Sequence, residues 1–545
     1  MALAPPSEND IIDIAIIGAG VSGTYAGYRL LQANPANSPV LSRMLQQSGR
    51  SALDVQTYEW SDHVGGRLWS INLPGLPNVP AEMGGMRFLK SMQNVYGLCT
   101  KELGLEAASF DFANNIQYLR DHRFNFSDYS DPSKVPYFLG NNESGQNPIA
   151  LVVNALNALV PGANGKTGYE LIQYLRSATV AGQPANVLLY ETGFWTLLMN
   201  QLSIEAYHLV QDASGYFSIY DNWSSYGAFL EFMRNYADSN YLKLQNGYQQ
   251  LPLTLAAKFQ GLGGVVQTNT RLYSLQPVMT NREQVIHMTL GPPNGTARVD
   301  AWARHVMLAM PQRSLQLLDP DSFIFGNPQF RADLETVTPQ PSSKLFLSFS
   351  EPWWQNLSPP ITNGRSDTDL ALRQCYYVGT ETQAPNAGMS LMMASYNDGV
   401  ADSYWDCYLN RSAWGGHQPP YIGAHGSLID SRLLAPQDMV ADIQQQLTRM
   451  HNYQVPAPAA AIYHNWTEDP IGAGWYFWNP HVRSWEVAPR IRQPVPGHNV
   501  YVCGSCYSEN QGWVEGALNT AEMTLETKFD LPPPSWVSSD YYMGP

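Results

Sequence analysis

The first hydrophobic run of the chain predicts a strand that is buried on both faces. Residues 12–17 carry isoleucine at four of six positions. A nearly continuous apolar run is typical of the parallel strands of an α/β sheet, which are covered on both sides. The pattern then changes, and residues 21–33 favour a helix. The opening of the chain therefore predicts a strand, a tight turn and a helix.

Three glycines occupy the predicted turn. Gly18, Gly20 and Gly23 have the spacing G-x-G-x-x-G. The first glycine allows the tight turn, the second lets the backbone approach a pyrophosphate, and the third lets the helix pack closely on the strand. Glycine-rich turns are common, so the spacing alone is weak, but a buried strand before it and a helix after it favour a dinucleotide site.

A second strand carries the acidic residue that such a site requires. Residues 55–59, Val-Gln-Thr-Tyr-Glu, are predicted to form a strand that ends at Glu59. An acidic residue that binds the adenosine ribose is expected about 20 residues after the glycines. Glu59 lies further along the chain, and the polar insertion 34–54, with its two prolines, accounts for the delay. Gly65, Gly66 and Arg67 follow, and they suit a second approach of backbone and guanidinium to the same pyrophosphate.

The later pattern predicts a helical insertion and a return to the sheet. Segments 169–175 and 202–210 have apolar residues at helical spacing, so the region from 93 to about 240 is predicted to be mainly helical. Segments 264–275, 285–290 and 306–309 favour strands. Lys344 lies at the head of an alternating apolar strand, where a buried ammonium needs a partner. Beyond residue 529, the proline-rich end of the sequence predicts a tail.

Composition limits the class of protein. A chain of 545 residues exceeds one hydrophobic core, so two or three domains are expected. The apolar fraction of 44% favours a globular protein, and a net charge of -15 without a basic cluster argues against a nucleic-acid partner. The five cysteines are scattered and do not predict disulfides or a metal site. No signal peptide or membrane-spanning run is evident, which predicts a soluble protein, cytoplasmic by default.

The motifs taken together resemble a known family. Glu59, the Gly65-Gly66-Arg67 segment and the segment 82–88, Glu-Met-Gly-Gly-Met-Arg-Phe, resemble the flavin-containing amine oxidase superfamily, and most of all its L-amino acid oxidase branch. The resemblance implies FAD as the cofactor. It also implies that Arg87 binds a substrate carboxylate, a role that suits a planar, two-pronged donor.

The resemblance implies a fold of three parts. We expect an α/β protein with a doubly wound, Rossmann-like FAD-binding domain, a mixed-sheet substrate-binding domain and a helical insertion. The predicted ranges are 10–75, 241–325 and 495–530 for the FAD-binding domain, 76–120 and 326–494 for the substrate-binding domain, and 121–240 for the helical domain.

The resemblance also assigns roles to individual residues. Lys344 would hold a water against the flavin, and either Tyr376 or Tyr377 would donate a hydroxyl to the substrate carboxylate. Neighbours in a strand point to opposite faces, so only one of the two can do so. The Gly512 carbonyl would receive the substrate amine, and Trp513 would form a wall of the pocket. The predicted catalytic set is Lys344, Arg87, Tyr376, Tyr377, Gly512 and Trp513. The predicted cofactor-binding set is Gly18, Gly20, Gly23, Glu59, Gly65, Gly66, Arg67, Gly85, Met86, Arg87, Leu272, Trp466, Gly504, Ser505, Gly512, Trp513 and Val514.

Two departures from the family pattern bear on these roles. Trp475 stands where monoamine oxidases carry the cysteine that bonds to the flavin, so the FAD is predicted to be non-covalent. Ser505 and Cys506 stand where many relatives carry a glutamate after the glycine turn, and Glu509 is a candidate substitute. His208 is either an active-site base or, as is more common for a lone histidine on an amphipathic helix, structural.

The expected reaction is oxidative deamination of an L-amino acid by O2, which gives a 2-oxo acid, ammonia and hydrogen peroxide. The alternatives within the superfamily are a monoamine or polyamine oxidase and a flavin amino-acid monooxygenase. A flavoprotein that uses FAD as a scaffold is a further alternative. The preferred side chain stays open, because aromatic walls suit an apolar substrate but also suit the stem of lysine or arginine with an acidic residue at its far end. A homodimer is expected by analogy.

Overall fold

The strand Ile11–Ile17 lies inside a seven-stranded sheet, and all seven of its residues are buried. The computed structural model, which describes residues 7–111, 113–182, 186–236, 240–409, 419–424 and 426–545, pairs this strand in parallel on both sides. The strand order is Val265–Gln267, Val55–Tyr58, Ile11–Ile17, Val299–Leu308, Gln284–Gly291 and Arg271–Met279, with Val500–Val502 beside the end of Val299–Leu308.

Helices cover both faces of this sheet. Helices Val21–Gln32, Gln250–Gly261 and Val514–Phe529 share one apolar core with it. Side chains from the short helices Gln312–Gln316, Pro328–Leu334 and Ser484–Ile491 join the core on the other face. The double cover explains why the strand residues are almost all apolar. The predicted α/β, doubly wound class is confirmed.

A second seven-stranded sheet is mixed and mostly antiparallel. Its order is Ala460–Asn465, Ser342–Phe349, Ser390–Asp398, Gln374–Thr380, Arg365–Thr368, Asn114–Leu119 and His122–Asn125. Helix Gln437–His451 packs on one face. All eight residues of Ser342–Phe349 are buried, Lys344 among them, which confirms the prediction that this lysine enters a buried strand. Smaller sheets pair Val337–Gln340 with Trp475–Trp478, Ser70–Ile71 with Ala81–Glu82, and Tyr241–Leu244 with Phe88–Leu89 and Ala107–Ser109.

The helical insertion begins later than the pattern predicts. Its α-helices share one core and are Pro148–Leu159, Gly168–Ser177, Phe194–Gln201, Ile204–Ala213 and Ser225–Leu230, and the last continues into a π-helical turn, Glu231–Tyr236. Strand His122–Asn125, predicted to belong to the helical domain, is a strand of the mixed sheet. The predicted boundary between residues 120 and 121 falls in a hairpin turn of the mixed sheet, where Arg120 and Asp121 both have positive φ. Such turns usually carry Asn or Gly, so the residues Arg120 and Asp121 gave no signal of a hairpin turn.

The division into three domains is therefore proposed with one change, in which the helical domain starts near residue 148. The α-helices not yet named are Pro39–Ser48, Gln93–Gly97 and Ser403–Leu409, and a π-helical turn, Leu98–Glu102, follows Gln93–Gly97. Helix Pro39–Ser48 lies within the predicted polar insertion, and the Ser38 hydroxyl caps it by accepting a hydrogen bond from the Leu41 N–H.

The segment after Phe529 is not a free tail, and that prediction is wrong. The Trp536 indole N–H donates to the Asn94 side-chain oxygen at 3.0 Å, and the Trp536 ring is buried. The Arg29 guanidinium donates to the Pro532 carbonyl at 2.7 Å. Prolines limit regular structure but do not prevent docking of an extended segment, because their rings and the neighbouring aromatic residues can still be buried. Within the described ranges, no helix combines the length and apolar character that crossing a bilayer requires.

Candidate active site

Two adjoining cavities lie between the sheets and the helical insertion. The first, of about 170 Å³, follows the glycine turn of the first strand, and we call it the cradle. The second, of about 140 Å³, lies between the mixed sheet and the helical insertion, and we call it the chamber. Residues that line both are Arg67, Gly85, Gly474, Gly512, Trp513 and Val514. The two cavities are therefore adjacent compartments of one site.

The glycine turn leaves no room for side chains at two of its three glycines. Gly18 has φ of +107°, and a Cβ there would lie 2.5 Å from the Ala309 carbonyl oxygen. A Cβ on Gly23 would collide with the Gly18 carbonyl, so Gly23 is used for packing and does not line the cradle. A Cβ on Gly20 would lie 3.9 Å from the Gly66 Cα, and Gly20 forms a backbone bridge with Gly65. Helix Val21–Gln32 starts here, and its N-terminus presents free N–H groups and positive dipole to the cavity.

Glu59 stands at the end of its strand with its carboxylate fixed. The Ala19 N–H donates to one carboxylate oxygen at 2.6 Å, and the Ser61 N–H and hydroxyl donate to the other at 2.8 and 2.7 Å. A carboxylate oxygen accepts two hydrogen bonds, so the oxygen that binds Ala19 keeps capacity for a ligand hydroxyl. Arg67 lies between the cavities, and its guanidinium donates to the Gly474 carbonyl at 2.8 Å and the Ser505 hydroxyl at 3.0 Å.

These features fit FAD. The glycine turn excludes side chains from the space that a pyrophosphate needs, the helix start provides its N–H groups, and Glu59 suits a ribose. Predicted residues that line the cradle are Gly18, Gly20, Glu59, Gly65, Gly66, Arg67, Gly85, Leu272, Gly504, Ser505, Gly512, Trp513 and Val514. Met86, Arg87, Trp466 and Lys344 line the chamber.

Arg87 is held between aromatic rings at the wall of the chamber. Its guanidinium carbon lies 4.6 Å from the ring centre of Tyr241 and 5.4 Å from that of Phe110. It also donates to the Tyr216 hydroxyl at 3.4 Å. Only 8% of Arg87 is exposed, and aromatic faces stabilise a desolvated guanidinium. Arg87 is thus a buried, oriented cation of the kind that binds a carboxylate in two-pronged fashion.

Lys344 brings a buried amine to the chamber, in addition to the Arg87 guanidinium. Its Nζ donates to the Gly84 carbonyl at 2.6 Å and the Glu82 carbonyl at 3.0 Å, and lies 4.5 Å from the ring centre of Tyr396. Burial lowers the pKa of Lys344, and burial raises the pKa of the Glu82 carboxyl nearby. An amine of lowered pKa with two carbonyl acceptors is suited to holding a water or exchanging a proton at Nζ.

Gly512 and Trp513 form the opposite wall, directly before helix Val514–Phe529. Gly512 has φ of +79°, a conformation that favours glycine. The Trp513 ring is parallel to that of Tyr241 at 6.4 Å, and its indole N–H donates to Glu231 at 2.8 Å. Trp466 is fixed by donation to the Met83 carbonyl at 2.8 Å.

The two adjacent tyrosines separate as strand neighbours should. Tyr377 shares hydrogen bonds with the Ser366 hydroxyl at 2.8 Å and the His451 ring at 2.7 Å, in the core beneath helix Gln437–His451. It is therefore not a candidate for substrate contact, and its place in the predicted catalytic set is corrected. The Tyr376 ring lies on the other face, 6.4 Å from that of Phe110, the ring below Arg87. Both tyrosines line an adjoining cavity of about 400 Å³, and neither lines the chamber itself.

Two secondary candidates lie outside both cavities. Glu509 binds Arg176 at 3.3 Å, together with the hydroxyls of Tyr226 and Tyr542. It therefore does not replace the family's glutamate at the cofactor. His208 sits in helix Ile204–Ala213 and lines neither cavity.

Cys506, by contrast, lines the cradle, and burial raises the pKa of its thiol to about 12.

The sequence analysis missed several chamber residues, most of them from the helical insertion. They are Tyr216, Ile219, Glu231, Tyr396 and Phe477. Glu231 is the one acidic side chain on the chamber wall among the residues that the structure describes. A weak signal existed, because Glu231 follows an apolar stretch, 228–230, in which a charged residue needs a partner.

Solved structures share this fold. Putrescine oxidase bound to putrescine aligns with a TM-score of 0.64 at 16% identity, over 95% of this chain and 99% of that one. Cyclohexylamine oxidase from Brevibacterium oxydans aligns with a TM-score of 0.62 at 17% identity, over 94% and 97%. At such identity the likeness supports the fold and not the substrate.

Sequence relatives extend over nearly the whole chain. Aplysianin-A of Aplysia kurodai is 26% identical over 98% of this chain and 94% of its own length. Achacin of Lissachatina fulica is 25% identical over 96% and 94%. Tryptophan 2-monooxygenase of Rhizobium rhizogenes is 44% identical, but over 14% of this chain and 8% of its own. Residues 40–524 match the family described as flavin-containing amine oxidoreductases, which confirms the predicted superfamily and implies a flavin cofactor. The chain belongs to the flavin-containing amine oxidoreductase family.

Proposed function

We propose that this protein is an FAD-dependent L-amino acid oxidase. The supporting observation is the position of Arg87, a buried guanidinium held by Tyr241 and Phe110 on the wall of a chamber that opens into the cradle. A substrate without a carboxylate would have no use for this cation, whereas a carboxylate would gain a charge-assisted, two-pronged contact. The net reaction converts an L-amino acid, O2 and water into a 2-oxo acid, ammonia and hydrogen peroxide.

The chain's own residues would orient the substrate. Arg87 binds the carboxylate, and the Gly512 carbonyl accepts a hydrogen bond from the amine, so the Cα hydrogen is directed toward the cradle. Aromatic walls exclude bulk water, and Lys344 would hold a water at Nζ, beside the two carbonyls and the Met86 sulfur that this amine contacts. Bound FAD supplies the redox chemistry, since it takes up a hydride equivalent from Cα and delivers two electrons to O2.

We also propose that FAD is held non-covalently. Trp475 lines the chamber at the position where monoamine oxidases have their bonded cysteine. Cys506 lines the cradle, but a thiol with its pKa raised to about 12 stays protonated and is a poor nucleophile. Acid precipitation tests this, because a non-covalent flavin appears in the supernatant and a bonded one stays with the pellet.

The proposed activity is tested by anaerobic mixing of the holoprotein with L-amino acids, D-amino acids and simple amines, followed through the visible absorbance of the oxidised flavin. We expect bleaching by L-amino acids alone. Bleaching by amines alone would contradict the role of Arg87, and no bleaching by any compound would favour a scaffold flavoprotein.

A second candidate function is an amino-acid monooxygenase. The short match to tryptophan 2-monooxygenase, 44% over 78 residues, favours it. Such an enzyme would oxidise the same substrates, so flavin bleaching does not separate the two. Product analysis in air does, because the oxidase releases a 2-oxo acid and hydrogen peroxide, whereas the monooxygenase releases an amide and carbon dioxide.

A further inference from the structure

The chamber contains a half-buried carboxylate that the proposed reaction does not use. Glu231 opens the π-helical turn Glu231–Tyr236, and its side chain reaches the chamber wall. The Trp513 indole N–H donates to one carboxylate oxygen at 2.8 Å, and the Asn235 amide donates to the other at 2.7 Å. Each carboxylate oxygen accepts two hydrogen bonds, so each keeps capacity for another donor. The carboxylate is thus fixed in position without being saturated.

The charges around Glu231 change when a substrate binds. Burial raises the pKa of Glu231, while the guanidinium groups of Arg234 and Arg87 act in the opposite direction. A substrate carboxylate on Arg87 would neutralise one of these two cations. Glu231 would then be a half-buried anion with less compensation, which is unfavourable unless the substrate brings a positive charge of its own.

The walls between these charges suit a long, cationic side chain. The rings of Tyr216, Tyr396 and Trp475 meet edge to face, with centres 5.3 Å apart for the tyrosine pair and 6.3 and 6.4 Å from each tyrosine to Trp475. Aromatic faces and edges of this kind pack against methylene groups and tolerate a nearby ammonium or guanidinium. An apolar side chain would fit the same walls but would leave Arg234 alone to compensate the charge of Glu231.

We propose that Glu231 is the specificity-determining residue of the chamber and accepts the cationic end of the substrate side chain, so that the preferred substrates are L-amino acids with an ammonium or guanidinium group. This assignment rests on the proposed function, because it requires Arg87 to hold the α-carboxylate.

The test compares L-lysine with L-norleucine, which has the same carbon chain without the terminal ammonium. We expect kcat/KM of the wild-type holoenzyme to favour lysine, and Glu231→Gln to reduce the lysine-to-norleucine ratio by about 30-fold or more, as loss of one partner of a buried charge pair does. Glutamine retains an oxygen that can accept from Trp513, so the substitution removes mainly the charge. Glu205→Gln is the matched control, because Glu205 lies in the same insertion and pairs with Arg120 away from the chamber.

A binding measurement without turnover completes the test. 6-Aminohexanoate has the carboxylate and terminal ammonium of lysine but no α-amine, and hexanoate lacks the ammonium as well. Perturbation of the flavin spectrum should show tighter binding of 6-aminohexanoate by the wild type, and Glu231→Gln should remove this difference. Equal effects of the substitution on both members of each pair would show that Glu231 only fixes Trp513, and would overturn the proposal. Oxidation of norleucine in preference to lysine by the wild type would overturn it too, while leaving the proposed function intact. Failure of all L-amino acids to bleach the flavin would instead refute the proposed function.

Discussion

The cradle and the chamber are built in different ways. The cradle binds through backbone, and its geometry depends on a strand, a glycine turn and a helix that follow one another within residues 11–32. The chamber is lined by side chains from many separate parts of the chain, from Arg67 to Val514, including the mixed sheet and the helical insertion. A backbone site leaves a regular spacing in the sequence, whereas a side-chain site depends on how distant segments pack. Perturbing each separately tests this contrast.

The cradle is perturbed most directly by Gly23→Ala. A Cβ at this position collides with the Gly18 carbonyl, and overpacking of this type costs about 1–3 kcal/mol or more. The cradle should lose its shape, so the flavin retained per chain after purification should fall at least about tenfold, since 1.4 kcal/mol corresponds to a factor of ten. Gly261→Ala is the control, because a Cβ there meets nothing within 4 Å. Full flavin content in Gly23→Ala would contradict this prediction, because it would show that the helix and the strand can move apart without loss of flavin binding.

The next effect is expected in the chamber from Arg87→Gln. Removing the guanidinium should raise KM for L-amino acids by about 10²–10³-fold, because a charged substrate group loses its buried partner. Flavin content should change little, since the cradle is a separate backbone structure. The KM of Arg87→Lys should lie between the values of the wild type and of Arg87→Gln, because lysine keeps the charge but not the two-pronged geometry. An unchanged KM in steady-state oxygen consumption would contradict the assignment.

A third effect concerns the free energy of unfolding at acid pH, through His451 in the helix that packs on the mixed sheet. Burial lowers the pKa of His451 from 6.5 to about 4, so the folded protein holds this ring neutral while the unfolded chain protonates it. Its contribution is fully present above pH 6.5 and is lost as the pH falls toward 4. Between pH 7 and pH 5 the loss is about 2 kcal/mol.

Chemical denaturation at the two pH values measures this loss. The decrease from pH 7 to pH 5 should be smaller in His451→Gln than in the wild type, because the variant has no ring to protonate there. The comparison cancels contributions from His305 and His464, whose pKa values burial also lowers. Equal decreases would indicate that His451 is accessible to protons in the folded state.

The smallest effects are expected from the two adjacent tyrosines, which serve as controls for one another. Tyr377→Phe removes hydrogen bonds to Ser366 and His451 and should cost about 1–2 kcal/mol of unfolding free energy without changing KM. Tyr376→Phe should raise KM about 2- to 10-fold, because its hydroxyl is predicted to reach the carboxylate beside Arg87. It also removes a hydrogen bond to Gln374 at 3.1 Å, so we expect a loss of stability smaller than that of Tyr377→Phe. Thermal unfolding and steady-state kinetics of both variants test the pair, and a reversal of the two outcomes would contradict the orientation described here.

Much of the fold could be predicted from the sequence because its signals are local. The strand Ile11–Ile17 and the helix after it follow from a hydrophobic run and glycine spacing. The strand His122–Asn125 and the docked segment around Trp536 were misassigned, because a positive-φ turn without glycine and a proline-rich extended segment give no regular pattern. Both are stabilised by partners far along the chain.

The sequence by itself determined the class of the protein and the position of its cradle, since glycine spacing acts on the backbone next to it. It also indicated Lys344 as a buried amine, and the resemblance to the family indicated Arg87 as the carboxylate-binding residue. Only the tertiary structure decided that Tyr377 is held in the core by His451, whereas Tyr376 lies on the other face of the strand. Only the tertiary structure brought Glu231 and Arg87 to the same chamber. The physical reason is that side-chain direction and charge pairing depend on the packing of segments more than 100 residues apart, and no local pattern records that packing.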